Sequence, residues 1–192
     1  MIAQPAKDDA LPGTLAMGPA LRRWRALHRV KQAHAAELFG VAQSTISRWE
    51  AGAQAMEPAE HAKVAAVVAA RLDAAADRVL AQLVSESPRP VHLVCDLTHK
   101  LLALSPSRAA GFGCPPETLI GRSLWPFATD ALRAMEARLA DLGWHDGPGP
   151  APVEFQTGAN RSTLVPVRHS LCRWTRILLS DGTAARIVET LA

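Results

Sequence analysis

Gln32-Ala33-His34-Ala35-Ala36-Glu37-Leu38-Phe39-Gly40-Val41-Ala42-Gln43-Ser44-Thr45-Ile46-Ser47-Arg48-Trp49-Glu50 is the stretch whose reading decides the first half of the chain. Its opening predicts a helix of roughly eight residues in which the small Ala36 lets a second helix cross closely. Gly40 ends that helix, because a sharp turn between helices commonly needs left-handed backbone and glycine reaches it without a Cβ clash. Val41, Ile46 and Trp49 supply the apolar residues that hold the second helix at a fixed angle on the first. Gln43, Ser44, Ser47 and Arg48 are left on the other face, with Thr45 beside them. They are polar residues on the first turns of an exposed helix, where a major-groove reader carries its base contacts. Lys31 and Gln32 begin the preceding helix, whose N-terminus suits a phosphate. Outside this spacing, Gln43, Ser44 and Ser47 would read as ordinary solvated residues. Arg22, Arg23, Arg29 and Lys31 read equally well as a solvated face. Trp24 and Trp49 fall on apolar stripes and are expected in the core.

At these residues the chain resembles the Cro/CI-like, or XRE, family of helix-turn-helix proteins. The resemblance runs from Leu21 to Gly52 without a gap, through Val30-Lys31-Gln32, Ala36, Gly40-Val41 and Ile46-Ser47-Arg48-Trp49-Glu50-Ala51-Gly52. It implies a DNA-binding transcription regulator with Lys31, Gln32, Gln43, Ser44, Thr45, Ser47 and Arg48 at the DNA. It also implies a buried ion pair between Arg25 and Glu50. Ala35 stands where the family usually has Leu, and Ala42 where it has Ser or Thr.

Working outward, residues 1–16 mix Pro5, Pro12 and Gly13 with small and charged residues and suggest a flexible arm. A helix-turn-helix domain is expected over residues 17–70. An Ala-rich segment from Pro58 to Val84 then repeats Val64, Val68, Leu72, Ala75, Val79 and Leu83 at helical spacing, until Ser87-Pro88-Arg89-Pro90 stops it. Such a seam folds back on the first domain or pairs with its copy in a second subunit; the second reading is favoured. Residues 71–90 are accordingly expected as a connecting and dimerisation helix with its linker, using Leu72, Val79 and Leu83.

Residues 91–192 change character, with short β-branched or Leu-rich runs at Val91 to Cys95, Leu101 to Leu104, Ser162 to Leu171 and Arg176 to Leu179 around a helical middle near Thr129 to Leu142. Pro166 inside an expected strand argues for an edge or a bulge. The run from Val91 to Asp96, then Leu101 to Ser105, Ser107 to Gly113, and Pro116 to Leu124 with its Glu117-Thr118-Leu119-Ile120-Gly121-Arg122-Ser123-Leu124 core, resembles the first half of a PAS domain. That implies a sensory or dimerising module. The fold class expected is thus α plus α+β: an all-helical helix-turn-helix domain, a long connecting helix, and a PAS-like antiparallel sheet with helices. A photoactive flavin would need a reactive Cys in an Asn-Cys-Arg-Phe type stretch, which is absent. A haem would want a His on the long helix, and His145 falls past its end. No cofactor is therefore expected; a small apolar ligand, or none, is the leading reading.

The 192 residues are 48% hydrophobic and 20% charged, enough for two small cores and unlike a disordered tail. No apolar run approaches the roughly 18–20 residues of a membrane span and no signal peptide is recognisable, so a cytoplasmic protein without membrane contact is expected. Cys95, Cys114 and Cys172 are too far apart for a CxxC pair or a zinc quartet, and read as free thiols. His92, His99 and His169 have no metal spacing. A net charge of +3 permits a polyanionic partner without demanding one. Three function classes follow. The first is a regulator that binds double-stranded DNA as a homodimer, its C-terminal domain open to a small ligand or protein partner. An antitoxin-like interaction protein is the second. An enzyme is the third, disfavoured because no nucleophile and base stand in a local signature.

Overall fold

The computed structural model describes residues 13–145 and 149–191. The expected arm lies, through residue 12, outside the described residues; Gly13 already opens the first helix. The chain forms two compact units, residues 1–64 and 65–192.

In the first unit, α1 (Gly13–Leu27), α2 (Gln32–Phe39) and α3 (Gln43–Glu50) pack α3 against both predecessors. Gly40 caps α2 with left-handed backbone at φ 71° and ψ 37°. Met17, Leu21, Ala35, Ala36, Phe39, Ile46 and Trp49 are buried, and Trp24 is half-buried. Gly18 sets how closely α1 approaches α3, since a Cβ there would stand 2.0 Å from the Trp49 carbonyl oxygen.

A single long connecting helix does not form. α4 (Pro58–Val68) ends, residues 69–74 are not helical, and α5 (Ala75–Ser85) begins afresh. No Gly or Pro forces this break. Ala69 and Ala70 are instead buried in the apolar cluster of the second unit, with Leu72 packed against it, and the Ala70 N–H points at the Cys95 Sγ 3.4 Å away. Burial thus overrides the helix propensity of an Ala-rich run. Arg71 donates to the Ala66 carbonyl and Arg78 to that of Asp73, which satisfies chain ends that a continuous helix would have paired. The division between the units falls at Val64/Ala65 rather than at the Ser87–Pro90 stop, because α5 packs on the sheet that follows.

That sheet has five antiparallel strands, β1 (Val91–Cys95), β2 (Leu101–Leu104), β3 (Val153–Gln156), β4 (Leu171–Leu178) and β5 (Ala184–Thr190), in the order β2-β1-β5-β4-β3. Alternation along each strand assigns the two faces. Val91, Leu93, Cys95, Ala103 and Ala185 join Val84 of α5 on one. His92, Val94, Cys172, Trp174, Arg186 and Val188 look to the other. There α6 (Pro106–Ala109), two 3-10 turns (Pro116–Thr118 and Trp125–Phe127) and α7 (Asp130–Arg138) lie between β2 and β3 in sequence. Asp77, buried on α5, accepts from the Ser180 N–H at 3.0 Å and from its hydroxyl at 2.9 Å, which fixes α5 to the turn before β5.

The strand expected over Ser162 to Leu171 is instead a loop until Leu171, so Pro166 sits at neither an edge nor a bulge. Side chains hold this loop where a ladder would have. Asn160 donates to the Phe127 carbonyl at 2.7 Å and that of Val165 at 3.0 Å, and its Oδ1 accepts from the Val167 N–H at 3.0 Å. Thr157 donates to the Arg168 carbonyl at 2.8 Å. Such Asn and Thr bonding competes directly with strand pairing. Among the described residues, no helix is long and apolar enough to cross a membrane.

Candidate nucleic-acid interface and cavity

The turn of Gly40, Val41 and Ala42 sets α3 with Ile46, Trp49 and Glu50 inward. Gln43, Ser44, Ser47 and Arg48 are exposed along the outer side and Thr45 is partly so. Lys31, exposed, is the N-cap of α2 and Gln32 its first residue.

One hydrogen-bonded chain orders this surface from beneath. Arg25 reaches Glu50 with two bonds, Nε to Oε1 at 2.6 Å and Nη2 to Oε2 at 2.8 Å, and its Nη1 donates to the Val30 carbonyl at 2.7 Å. The Gln32 amide donates to Glu50 Oε2 at 2.9 Å, and its carbonyl accepts from Gln43 Nε2 at 3.2 Å. Burial pushes the Glu50 carboxyl up, but hydrogen bonds from Arg25 and Gln32 and the charges of Arg25 and Arg22 hold it, on balance, below the usual carboxylate range. Gln32 therefore joins the two helices as well as standing at the start of α2. The Arg48 guanidinium donates to the Thr45 hydroxyl at 3.4 Å.

Of the three residues expected at a dimer seam, Leu72 precedes α5 and packs against the apolar cluster of its own unit. It does not share a stripe with the other two. Val79 and Leu83, one turn apart on α5, are 55% and 63% exposed.

Spacing gave no sign of a cavity of about 550 Å³ in the second unit, between the sheet face and α6, the Trp125–Phe127 turn and the 159–170 loop. Arg186, on its wall, belongs to a buried charge network. Asp96, just past β1, accepts from Trp144 Nε1 at 3.1 Å, Arg176 Nε at 3.2 Å and Arg186 Nε at 2.8 Å, and Arg186 also reaches Glu136 of α7 at 2.6 Å. Burial pushes Asp96 up, yet the Arg186 charge and hydrogen bond, the Trp144 bond and the Arg176 charge keep it ionised and low. Two histidines on the cavity are neutral. Burial, then the charge of Arg108, lowers His92 to about 3; burial, then Arg186, lowers His99 to about 4. His99 stacks on Trp125 with centroids 4.4 Å apart. Cys172, pushed up to about 12 chiefly by burial, is a protonated thiol. Cys95 and Cys172 are buried, Cys114 partly so, and all three are free. No group of three or more His, Cys, Asp or Glu among the described residues is placed to hold a metal.

No family model matches the chain, and no curated protein matches it. Among solved structures it is similar to the PAS domain of an HTR-like protein from Haloarcula marismortui, at 15% identity and TM-score 0.42, over 60% of this chain and 90% of that one. It is also similar to an RNA-binding light-oxygen-voltage receptor, at 11% identity and TM-score 0.42, over 99% of this chain. The chain spans 64% of that receptor's length. These neighbours are PAS and light-oxygen-voltage structures, and the fold in hand is helical followed by a mixed unit with a five-stranded antiparallel sheet.

Proposed function

We propose that the protein is a sequence-specific regulator of transcription that binds double-stranded DNA as a homodimer, with α2 and α3 as a helix-turn-helix of the Cro/CI-like kind. One observation carries this reading: α3 is held by the buried Arg25–Glu50 pair while Gln43, Ser44, Ser47 and Arg48 stand exposed along its outer side. A helix fixed from behind and polar in front is what a major-groove reader requires. Gln43 reads an adenine edge, Arg48 a guanine or a phosphate, and Ser44, Thr45 and Ser47 complete the contact; Lys31 and the α2 N-terminus take backbone phosphate. One such unit reads too few base pairs to find a site in a genome, so two copies act on a pseudo-palindrome, their α3 helices about 34 Å apart. The exposed Val79 and Leu83 contribute to pairing, without Leu72.

We read the second unit as PAS-like, a sensory or dimerising module. The order of hairpin, short helices, longer helix and further strands is the one the sequence resemblance implies, and the cavity gives it somewhere to receive a signal. The test is titration of the whole chain onto a selected duplex and a scrambled one at several salt concentrations. Binding should weaken linearly on a log–log salt plot. Gln43→Ala should lose roughly 1–3 kcal/mol on the selected duplex only. Equal affinity of wild type and variant for the selected duplex would defeat the readout.

A further inference from the structure

The cavity wall is chemically one-sided. Arg108, Arg168, Arg186, His92 and His99 border it, and among the described residues no Asp or Glu does. The Arg186 charge is spent on Asp96 and Glu136. Arg108 is different. Its Nε is buried with no hydrogen-bond partner, no ion pair is formed by it among the described residues, and its guanidinium lies over the Phe112 ring, 4.9 Å from the centroid. Trp125, 6% exposed, and His92, 8% exposed, also face the cavity with Trp125 Nε1 and His92 Nδ1 buried and unpartnered. Three polar groups withdrawn from water and left without partners are costly, on the order of 1–3 kcal/mol each and more for a charge, and all three belong to residues that line a space able to hold a molecule. Val94, Leu124, Phe127, Leu132, Trp174 and Val188 give the wall an apolar part. Exposed Ser107, Arg168 and His169 border it as well, giving access from solvent and further positive charge at the entrance.

We propose that this cavity binds a small amphipathic carboxylate, its anionic head on the Arg108 guanidinium with Trp125 Nε1 and His92 Nδ1 as further polar partners, and its apolar body against Phe127, Trp174 and Val188. The guanidinium supplies charge and planar donors to a carboxylate; a neutral amide of the same shape forgoes the charge-assisted bond. The inference deepens the sensory reading of the second unit, and its test involves no DNA, so it stands or fails separately from operator binding.

The experiment is calorimetric titration of the full chain with straight-chain acids from acetate to dodecanoate, with phenylacetate and 3-phenylpropionate, and with the matching primary amides. Quenching of tryptophan fluorescence follows the same titrations, because Trp125 and Trp174 line the cavity. At least one acid with an apolar body should bind with Kd below about 1 mM and about 10–100-fold more tightly than its amide. Arg108→Met keeps the stem and removes the charge, and should abolish that preference; Arg108→Lys should keep part of it. Acid and amide binding equally to the wild type, no acid binding, or acetate and inorganic phosphate binding as well as the larger acids would each overturn the proposal. So would an undiminished acid preference in Arg108→Met. The wild-type comparison of acid with amide holds whether or not the variants fold.

Discussion

Replacing Arg25 by Met removes the partner of a carboxylate that the fold has withdrawn from water. The Glu50 side chain is 5% exposed and accepts two bonds from Arg25, so the variant leaves it with the Gln32 amide alone. Breaking a buried pair from one side costs about 3–5 kcal/mol, and the lost bond to the Val30 carbonyl adds about 1 kcal/mol. Against a total of about 5–15 kcal/mol for a domain, this takes most of the margin of a small helical unit. Hydrogen exchange of peptides covering residues 32–50 measures it locally, without interference from the second unit. The sign with pH is also fixed. In the wild type the folded pKa of Glu50 lies below its ordinary 4.5, so its stabilisation is complete above that pH and is lost as pH falls through the folded value. In Arg25→Met burial is left in control and raises the pKa, so the variant recovers in acid. The gap between the two proteins should begin to narrow above pH 4.5, where Glu50 of the variant takes up its proton, and go on narrowing below it, where the wild type loses its own stabilisation; Arg25→Met with Glu50→Met should restore much of the loss at neutral pH. A loss under about 1 kcal/mol, the worth of a surface pair, or a gap unchanged by acid, would refute this reasoning.

Gly18→Ala should destabilise the first unit by about 1–3 kcal/mol, since its Cβ would meet the Trp49 carbonyl oxygen at 2.0 Å and backbone must move; a denaturation midpoint equal to wild type would contradict this. His92 and His99 are neutral in the folded chain, with values lowered to about 3 and about 4, and they take up protons on unfolding below about pH 6.5. Stability of the second unit should therefore fall as pH drops from about 6.5, each histidine accounting for about 2 kcal/mol by pH 5, as read from urea unfolding; imidazole NMR shifts titrating near their ordinary value would be the opposing result. Asp96→Asn should cost about 3–5 kcal/mol by leaving Arg176 and Arg186 without their shared carboxylate, visible as a lowered melting temperature. Val79→Asp should shift sedimentation of the full chain toward monomer and weaken operator binding while the first unit stays folded; an unchanged dimer would remove α5 from the interface.

What could be read in advance follows the range of the forces involved. The expected runs Val91 to Cys95 and Leu101 to Leu104 coincide with β1 and β2, because β-branched and leucine residues bounded by turn residues fix a short strand locally. Gly40 at the end of α2 was legible for the same reason. The break between α4 and α5 was not, since it arises from burial of Ala69 and Ala70 against a sheet that begins beyond residue 90. β3 alternates Val153 and Phe155 with Glu154 and Gln156 but is only four residues long, and β5 places the fully buried Arg186 in mid-strand, so neither stands out in the sequence. The loop after Asn160 looked like a strand because the side-chain bonds that replace a ladder there leave no periodic trace. The cavity was invisible because Arg108 and Trp125 are far apart in sequence, and a missing partner is a property of three dimensions.

The reading of α3 as a DNA-recognition helix is most directly tested by mixing the full chain with a random double-stranded library and sequencing the retained duplexes after several rounds. Enrichment of two related half-sites in dyad symmetry, their centres about one helical turn apart, is required, with loss of the enrichment in Gln43→Ala. Retained duplexes with no common sequence, or a motif identical for wild type and Gln43→Ala, would contradict it.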